Sequence, residues 1–76
     1  MRWPFARKAK PYPLTEREMD ILRLVAKGQS NKEIGYRAKI SEQTVKNHNY
    51  TIMRKLGVTN RTQAVVEGIK RGLIRV

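Results

Sequence analysis

Apolar residues recur every three or four positions along most of this chain, and the gaps between the recurring runs hold residues that start and stop helices. From Leu14 onward, Ile21, Leu22 and Val25 make one apolar stripe, preceded by Thr15 and Glu18 at capping-box spacing and followed by Gly28. This predicts a first helix over about residues 16–27. Ser30 and Glu33 repeat the box, predicting a short second helix over about residues 31–38 with Ile34 and Ala38 turned inward. Gly35 inside it costs about 1 kcal/mol relative to alanine, so a helix there implies close approach of a neighbouring backbone. Ser41 stands where an N-cap belongs and Gly57 where a left-handed C-cap would end a longer third helix, about residues 42–56. Val45, Ile52 and Leu56 form its inner face. After Gly57, Val58 can plug the core, Thr59 or Asn60 can cap, and a fourth helix over about residues 61–71 ends at Gly72. Ala64, Val65 and Gly68 would face the body.

The fold class expected is all-α, a four-helix bundle with a helix-turn-helix at its centre. Only Lys39 to Ser41 separate the second helix from the third, which forces a sharp crossing. On the third helix, Gln43, Lys46, Asn47, Tyr50 and Arg54 fall on the face opposite the apolar stripe, so one face packs and the other is free to touch a partner. Val66 and Ile69 lie on a separate flank of the fourth helix, beyond what one packing contact needs, and suggest a dimer seam. Scattered surface apolar residues are the ordinary alternative.

Charge narrows the partner. The 76 residues carry 17 Lys and Arg against 6 acids, a formal charge of +11, which favours a polyanion: nucleic acid first, an anionic membrane surface second. No apolar run approaches the roughly 18 residues needed to span a bilayer, and the basic N-terminus is not followed by the apolar core of a signal peptide. The expectation is a soluble, cytoplasmic, nucleoid-associated chain. The absence of cysteine excludes a disulfide framework or a thiolate metal cluster. So small a domain buries only roughly 60% of its unfolded surface, and dimerisation would stabilise it.

Residues 1–13, MRWPFARKAKPYP, hold three prolines, four cations and no acid. They read as a basic arm, a linker to an upstream domain or an artificial chain end, leaving residues 14–76 as the folded domain. Glu16, Glu18 and Asp20 lie near the positive end of the first helix dipole, which accounts for them without acid-base or metal chemistry. His48, the one histidine, has no cysteine and no nearby acid to make a nucleophilic or metal site. Neither an enzyme nor a cofactor is expected.

The blocks LTEREMDIL, SNKEI, SEQTVKNH, IMRKLGV and RTQAVV, in this order and spacing, resemble the LuxR/GerE-type helix-turn-helix domain from Leu14 to about Ile74. The family includes GerE-like single-domain regulators and the output domains of response regulators and quorum-sensing receptors. The resemblance implies a transcription regulator that binds double-stranded DNA as a homodimer on an inverted-repeat operator, with RNA polymerase as a further partner. It places the third helix in the major groove and the fourth at the twofold interface, which would involve Val66, Ile69 and Lys70. Base-reading positions match Gln43, Lys46, Asn47 and Tyr50; backbone contacts match Asn31, Lys32, Thr44, Arg54, Lys55 and Arg61. Chemistry agrees with the base-reading set. Lys46 can donate to guanine O6 and N7, Asn47 and Gln43 suit adenine, and Tyr50 offers a hydroxyl and a ring edge to a thymine methyl or a phosphate.

The chain departs from the family at Asn49, where an apolar residue is usual. The spacing from Val45 points Asn49 inward, where a buried amide must find partners or cost about 1 to 3 kcal/mol. A carbonyl of the first helix is one candidate partner, and a slight rotation of the third helix is the other way out. Gly35 and Gly68 replace the more usual alanine. Two other functions fit the chain less fully. One is a nonspecific nucleic-acid module whose Trp3, Phe5 and Tyr12 stack on unpaired bases. The other is a protein-interaction adaptor using the flank of the fourth helix.

Overall fold

The computed structural model describes residues 13–75, and its elements are α1 (Glu16–Ala26), α2 (Asn31–Ala38), α3 (Glu42–Leu56) and α4 (Arg61–Lys70). All four begin on a side-chain cap. The Thr15 hydroxyl accepts from the Glu18 N–H while the Glu18 carboxylate accepts from the Thr15 N–H, and Ser30 with Glu33 makes the same reciprocal pair. Ser41 accepts from the Thr44 N–H, and Asn60, not Thr59, caps α4 by accepting from the Gln63 N–H at 2.8 Å. α1 and α4 each end one residue earlier than their patterns suggest, with Lys27 and Arg71 as C-caps.

The helices end by two devices. Gly28 (φ +83°), Gly57 (+71°) and Gly72 (+71°) take the left-handed backbone that glycine adopts without steric cost. α2 instead ends on Lys39 at φ 61°, where a Cβ costs roughly 1–2 kcal/mol and no composition signal marks the stop.

Ile21, Leu22, Ile34, Val45 and Ile52 are the largest fully buried side chains, so the inner stripes of α1, α2 and α3 meet in one core, closed by Leu14, Val25, Leu56, Ala64 and Ile74. Of the residues expected inward, Ala38, Val58 and Val65 are only half-buried. Both unusual glycines sit at close approaches. A Cβ on Gly35 would lie 2.8 Å from the Ile40 carbonyl oxygen, so glycine lets the turn pass directly against α2. A Cβ on Gly68 would lie 2.9 Å from Leu22 Cδ2 and 3.2 Å from Ile74 Cγ1, so glycine lets the segment after α4 fold back over α1.

Two polar ties fix the C-terminal end of α3. The Lys55 ammonium donates to the Glu18 carboxylate at 2.7 Å, joining the last turn of α3 to the first turn of α1. Arg71 donates to the Leu56 carbonyl at 3.2 Å, satisfying one of the orphan acceptors at the C-terminus of α3. Among the described residues, no helix is long and apolar enough to cross a membrane.

Candidate nucleic-acid interface

With Val45, Asn49, Ile52 and Leu56 buried, the 3.6-residue period leaves the opposite ridge of α3 in solvent. Gln43, Lys46, Asn47 and Arg54 are exposed, and Tyr50 is 60% exposed. The ridge is internally braced. Gln43 Nε2 donates to Asn47 Oδ1 at 3.2 Å, and the Arg54 guanidinium lies 5.8 Å from the Tyr50 ring centroid, within cation–π range. Side chains held this way lose less freedom when a partner engages them.

The candidate backbone-contacting residues lie around this ridge. Lys32 is exposed in the first turn of α2, and Thr44 is half-buried with its hydroxyl 2.8 Å from that of Ser41. Asn31 and Arg61, the first residues of α2 and α4, are joined: Arg61 Nη1 donates to Asn31 Oδ1 at 3.0 Å, and Arg61 Nη2 donates to the Gln29 carbonyl at 3.0 Å. Two helix N-termini, each a source of unpaired N–H groups and positive dipole, are thereby held beside each other.

Asn49 also enters this junction, its Nδ2 donating to Asn31 Oδ1 at 3.0 Å. Neither of the two solutions expected for Asn49 is the one adopted, because its partner belongs to α2. Periodicity marked the position as inward but could not name a neighbour 18 residues away.

At Lys55 the geometry adds a partner that the sequence did not suggest. Its side chain is 18% exposed and that of Glu18 is 7% exposed, so the ammonium is committed to an internal ion pair and also donates to the Pro13 carbonyl at 3.3 Å. Burial alone would raise the Glu18 pKa. The Lys55 hydrogen bond, the Thr15 backbone N–H, the Lys55 charge and the Thr15 hydroxyl together outweigh burial and hold the carboxyl below its usual range. Glu18 therefore does more than offset a helix dipole.

On α4, Val66 and Ile69 are 48% and 40% exposed, and Lys70 beside them is exposed. The arm residues Trp3, Phe5 and Tyr12 lie outside the described residues. Among the described residues, no group of His, Asp or Glu side chains is placed to hold a metal ion.

The family model for bacterial regulatory proteins of the luxR family matches residues 12–67. The transcriptional regulatory protein DegU of Brevibacillus brevis is 52% identical over 63 residues, covering 83% of this chain and 27% of that protein. The response regulator protein VraR of Staphylococcus aureus is 47% identical over 76 residues, covering 99% of this chain and 36% of VraR. The chain thus spans roughly a third of the length of these relatives. Among solved structures, the transcription factor GerE superposes with a TM-score of 0.79 at 42% identity, covering 82% of this chain and 92% of GerE. The response regulator ChrA of a heme-sensing two-component system superposes with a TM-score of 0.82 at 38% identity, covering 90% of this chain and 34% of ChrA. The four-helix order, the exposed polar ridge of α3 and these matches place the chain in the luxR family of bacterial regulatory proteins, as a helix-turn-helix DNA-binding domain of the GerE type.

Proposed function

We propose that residues 14–76 bind duplex DNA sequence-specifically, as a homodimer on an inverted-repeat operator, and so regulate transcription by RNA polymerase in the cytoplasm. The observation that carries this reading is the braced, exposed ridge of Gln43, Lys46, Asn47 and Tyr50 on a helix flanked by the joined starts of α2 and α4. The major groove is about 12 Å wide and admits such a helix, and each base pair there shows a distinct donor and acceptor pattern. Lys46 reads guanine and Asn47 reads adenine, with Gln43 beside it and Tyr50 against a thymine methyl or a phosphate. Phosphates on either side meet Lys32, Thr44, Arg54 and the N-terminal groups at Asn31 and Arg61. Lys55, neutralised by Glu18, anchors that end of α3, and Arg54 is the direct cationic contact there. Residues 1–13 are a basic arm or linker.

Competition between duplex DNA and single-stranded RNA tests the reading. Preference for duplex, with affinity falling steeply as salt rises, supports it; preference for the single strand would favour a stacking module using the aromatic arm. Tight binding of a protein through α4 without salt-sensitive DNA binding would favour an adaptor.

Dimerisation is assigned to the apolar flank of α4. Val66→Asp with Ile69→Asp is expected to leave half-site binding in place while affinity for the full inverted repeat falls by about two orders of magnitude, the avidity of a linked second site. Gel-shift titrations would then show a half-occupied complex in place of one cooperative band. Unchanged cooperativity would remove α4 from the interface.

A further inference from the structure

Asn49 occupies a position in α3 whose packing register, between Val45 and Ile52, asks for an apolar side chain, and it is only 9% exposed. Its carboxamide does not serve the core. Nδ2 donates to Asn31 Oδ1 at 3.0 Å, and the same oxygen takes a second hydrogen bond, also 3.0 Å, from Arg61 Nη1. A carbonyl oxygen has two lone pairs, so Asn31 Oδ1 is saturated by one donor from α3 and one from α4.

This saturation has an electrostatic consequence. An unrestrained asparagine amide can flip, presenting either its oxygen or its N–H groups to an approaching ligand, and a phosphate accepts the second and is repelled by the first. With Oδ1 held by two donors, the plane of the Asn31 amide is fixed and its two N–H groups are directed away from Asn49 and Arg61. Asn31 is the first residue of α2, where free backbone N–H groups and the helix dipole already favour an anion. Arg61 is held in the same junction by its second hydrogen bond, to the Gln29 carbonyl at 3.0 Å.

We propose that Asn49 is a positioning residue for the DNA backbone contact: it locks the Asn31 carboxamide with its donors toward phosphate and ties the starts of α2 and α4 to the reading helix. The proposal rests on the duplex-DNA reading given above. Asn49 itself touches no DNA. Its effect passes through Asn31, is independent of base sequence, and is separable from stability, because an apolar side chain at this buried position packs without needing a partner.

A double-mutant cycle tests it on the full chain. Wild type, Asn49→Val, Asn31→Ala and the double variant are titrated against a labelled mixed-sequence duplex, with thermal unfolding of each followed by circular dichroism. Asn49→Val is expected to unfold at or above the wild-type temperature yet bind about fivefold more weakly, the effect of one misdirected hydrogen bond. In the Asn31→Ala background the same substitution is expected to cost nothing further. The Asn31 side-chain amide signals in 15N NMR provide a second readout: displaced from free-amide positions in wild type by the two hydrogen bonds to Oδ1, they should shift in Asn49→Val, where one of those bonds is lost. Equal losses in the two backgrounds, or unaltered Asn31 signals, would overturn the positioning role while duplex binding by wild type left the functional reading intact. Failure of wild type to bind duplex at all would overturn both.

Discussion

Alanine at both Lys46 and Asn47 is expected to abolish the preference of this domain for its operator over mismatched duplex while leaving the fold untouched. Both side chains are exposed, so their removal changes stability by no more than about 0.5 kcal/mol. A well-placed side chain on a base edge contributes about 1–3 kcal/mol of discrimination, so two lost contacts reduce it at least about thirtyfold per half-site. Residual binding should persist, since the proposed phosphate contacts of Lys32, Arg54 and the starts of α2 and α4 are left in place. Arg54→Ala is the contrasting case, because a phosphate contact carries no sequence information. It should weaken cognate and mismatched duplexes alike and flatten the slope of log K against log salt by about one unit. Fluorescence anisotropy with the two duplexes at several salt concentrations separates these outcomes. Discrimination that survives the Lys46 and Asn47 substitutions would mean that another surface reads the bases.

Lys55→Met should behave in the opposite way, costing the fold instead of the recognition. It leaves the Glu18 carboxylate covered but without its cation, and breaking a largely covered pair in this manner costs about 2–3 kcal/mol. For so small a domain that is a large share of total stability. The pH dependence provides a signature. In wild type the folded Glu18 pKa lies below its unfolded value, so its contribution is fully present above the unfolded value and is lost as pH falls through the lowered folded one. In the variant the Lys55 hydrogen bond and charge are gone while burial and the Thr15 hydrogen bonds remain, which moves the folded pKa upward and shrinks the stability lost on protonation. The stability gap between the two proteins should therefore narrow as pH drops from 7 to about 3, as measured by urea unfolding. A gap that stays constant would show that the ion pair is not what Lys55 contributes.

Local features were the legible part of this chain. The boxes Thr15/Glu18 and Ser30/Glu33, the cap Ser41, and the glycines at 28, 57 and 72 act within four residues of themselves, so their effects follow from spacing, whereas spacing left the cap of α4 open between Thr59 and Asn60. Helical periodicity likewise separates the Val45, Ile52 and Leu56 face from the Lys46, Asn47 and Tyr50 face. Partnerships across the fold were not legible. Lys55 looks like one more surface cation until α1 brings Glu18 to it from 37 positions away. Spacing placed the turn at Lys39 to Ser41, but not the left-handed backbone of Lys39, because the close approach of the turn to Gly35, not a glycine at the turn itself, accompanies the end of α2. Ile74, beyond the last helix, becomes core only because Gly68 leaves room for the chain to fold back. The candidate site follows the same division: its outward residues are set by the α3 register, whereas the Asn49, Asn31 and Arg61 junction exists only once three helices meet.

Whether α3 reads duplex DNA in a twofold-symmetric dimer is decided by selecting bound duplexes from a randomised library. The expected result is an enriched inverted repeat whose half-sites lie about one helical turn, roughly 10 base pairs, apart, each containing the guanine and adenine that Lys46 and Asn47 suit. A library that returns without enrichment, or with a motif lacking twofold symmetry, would contradict it.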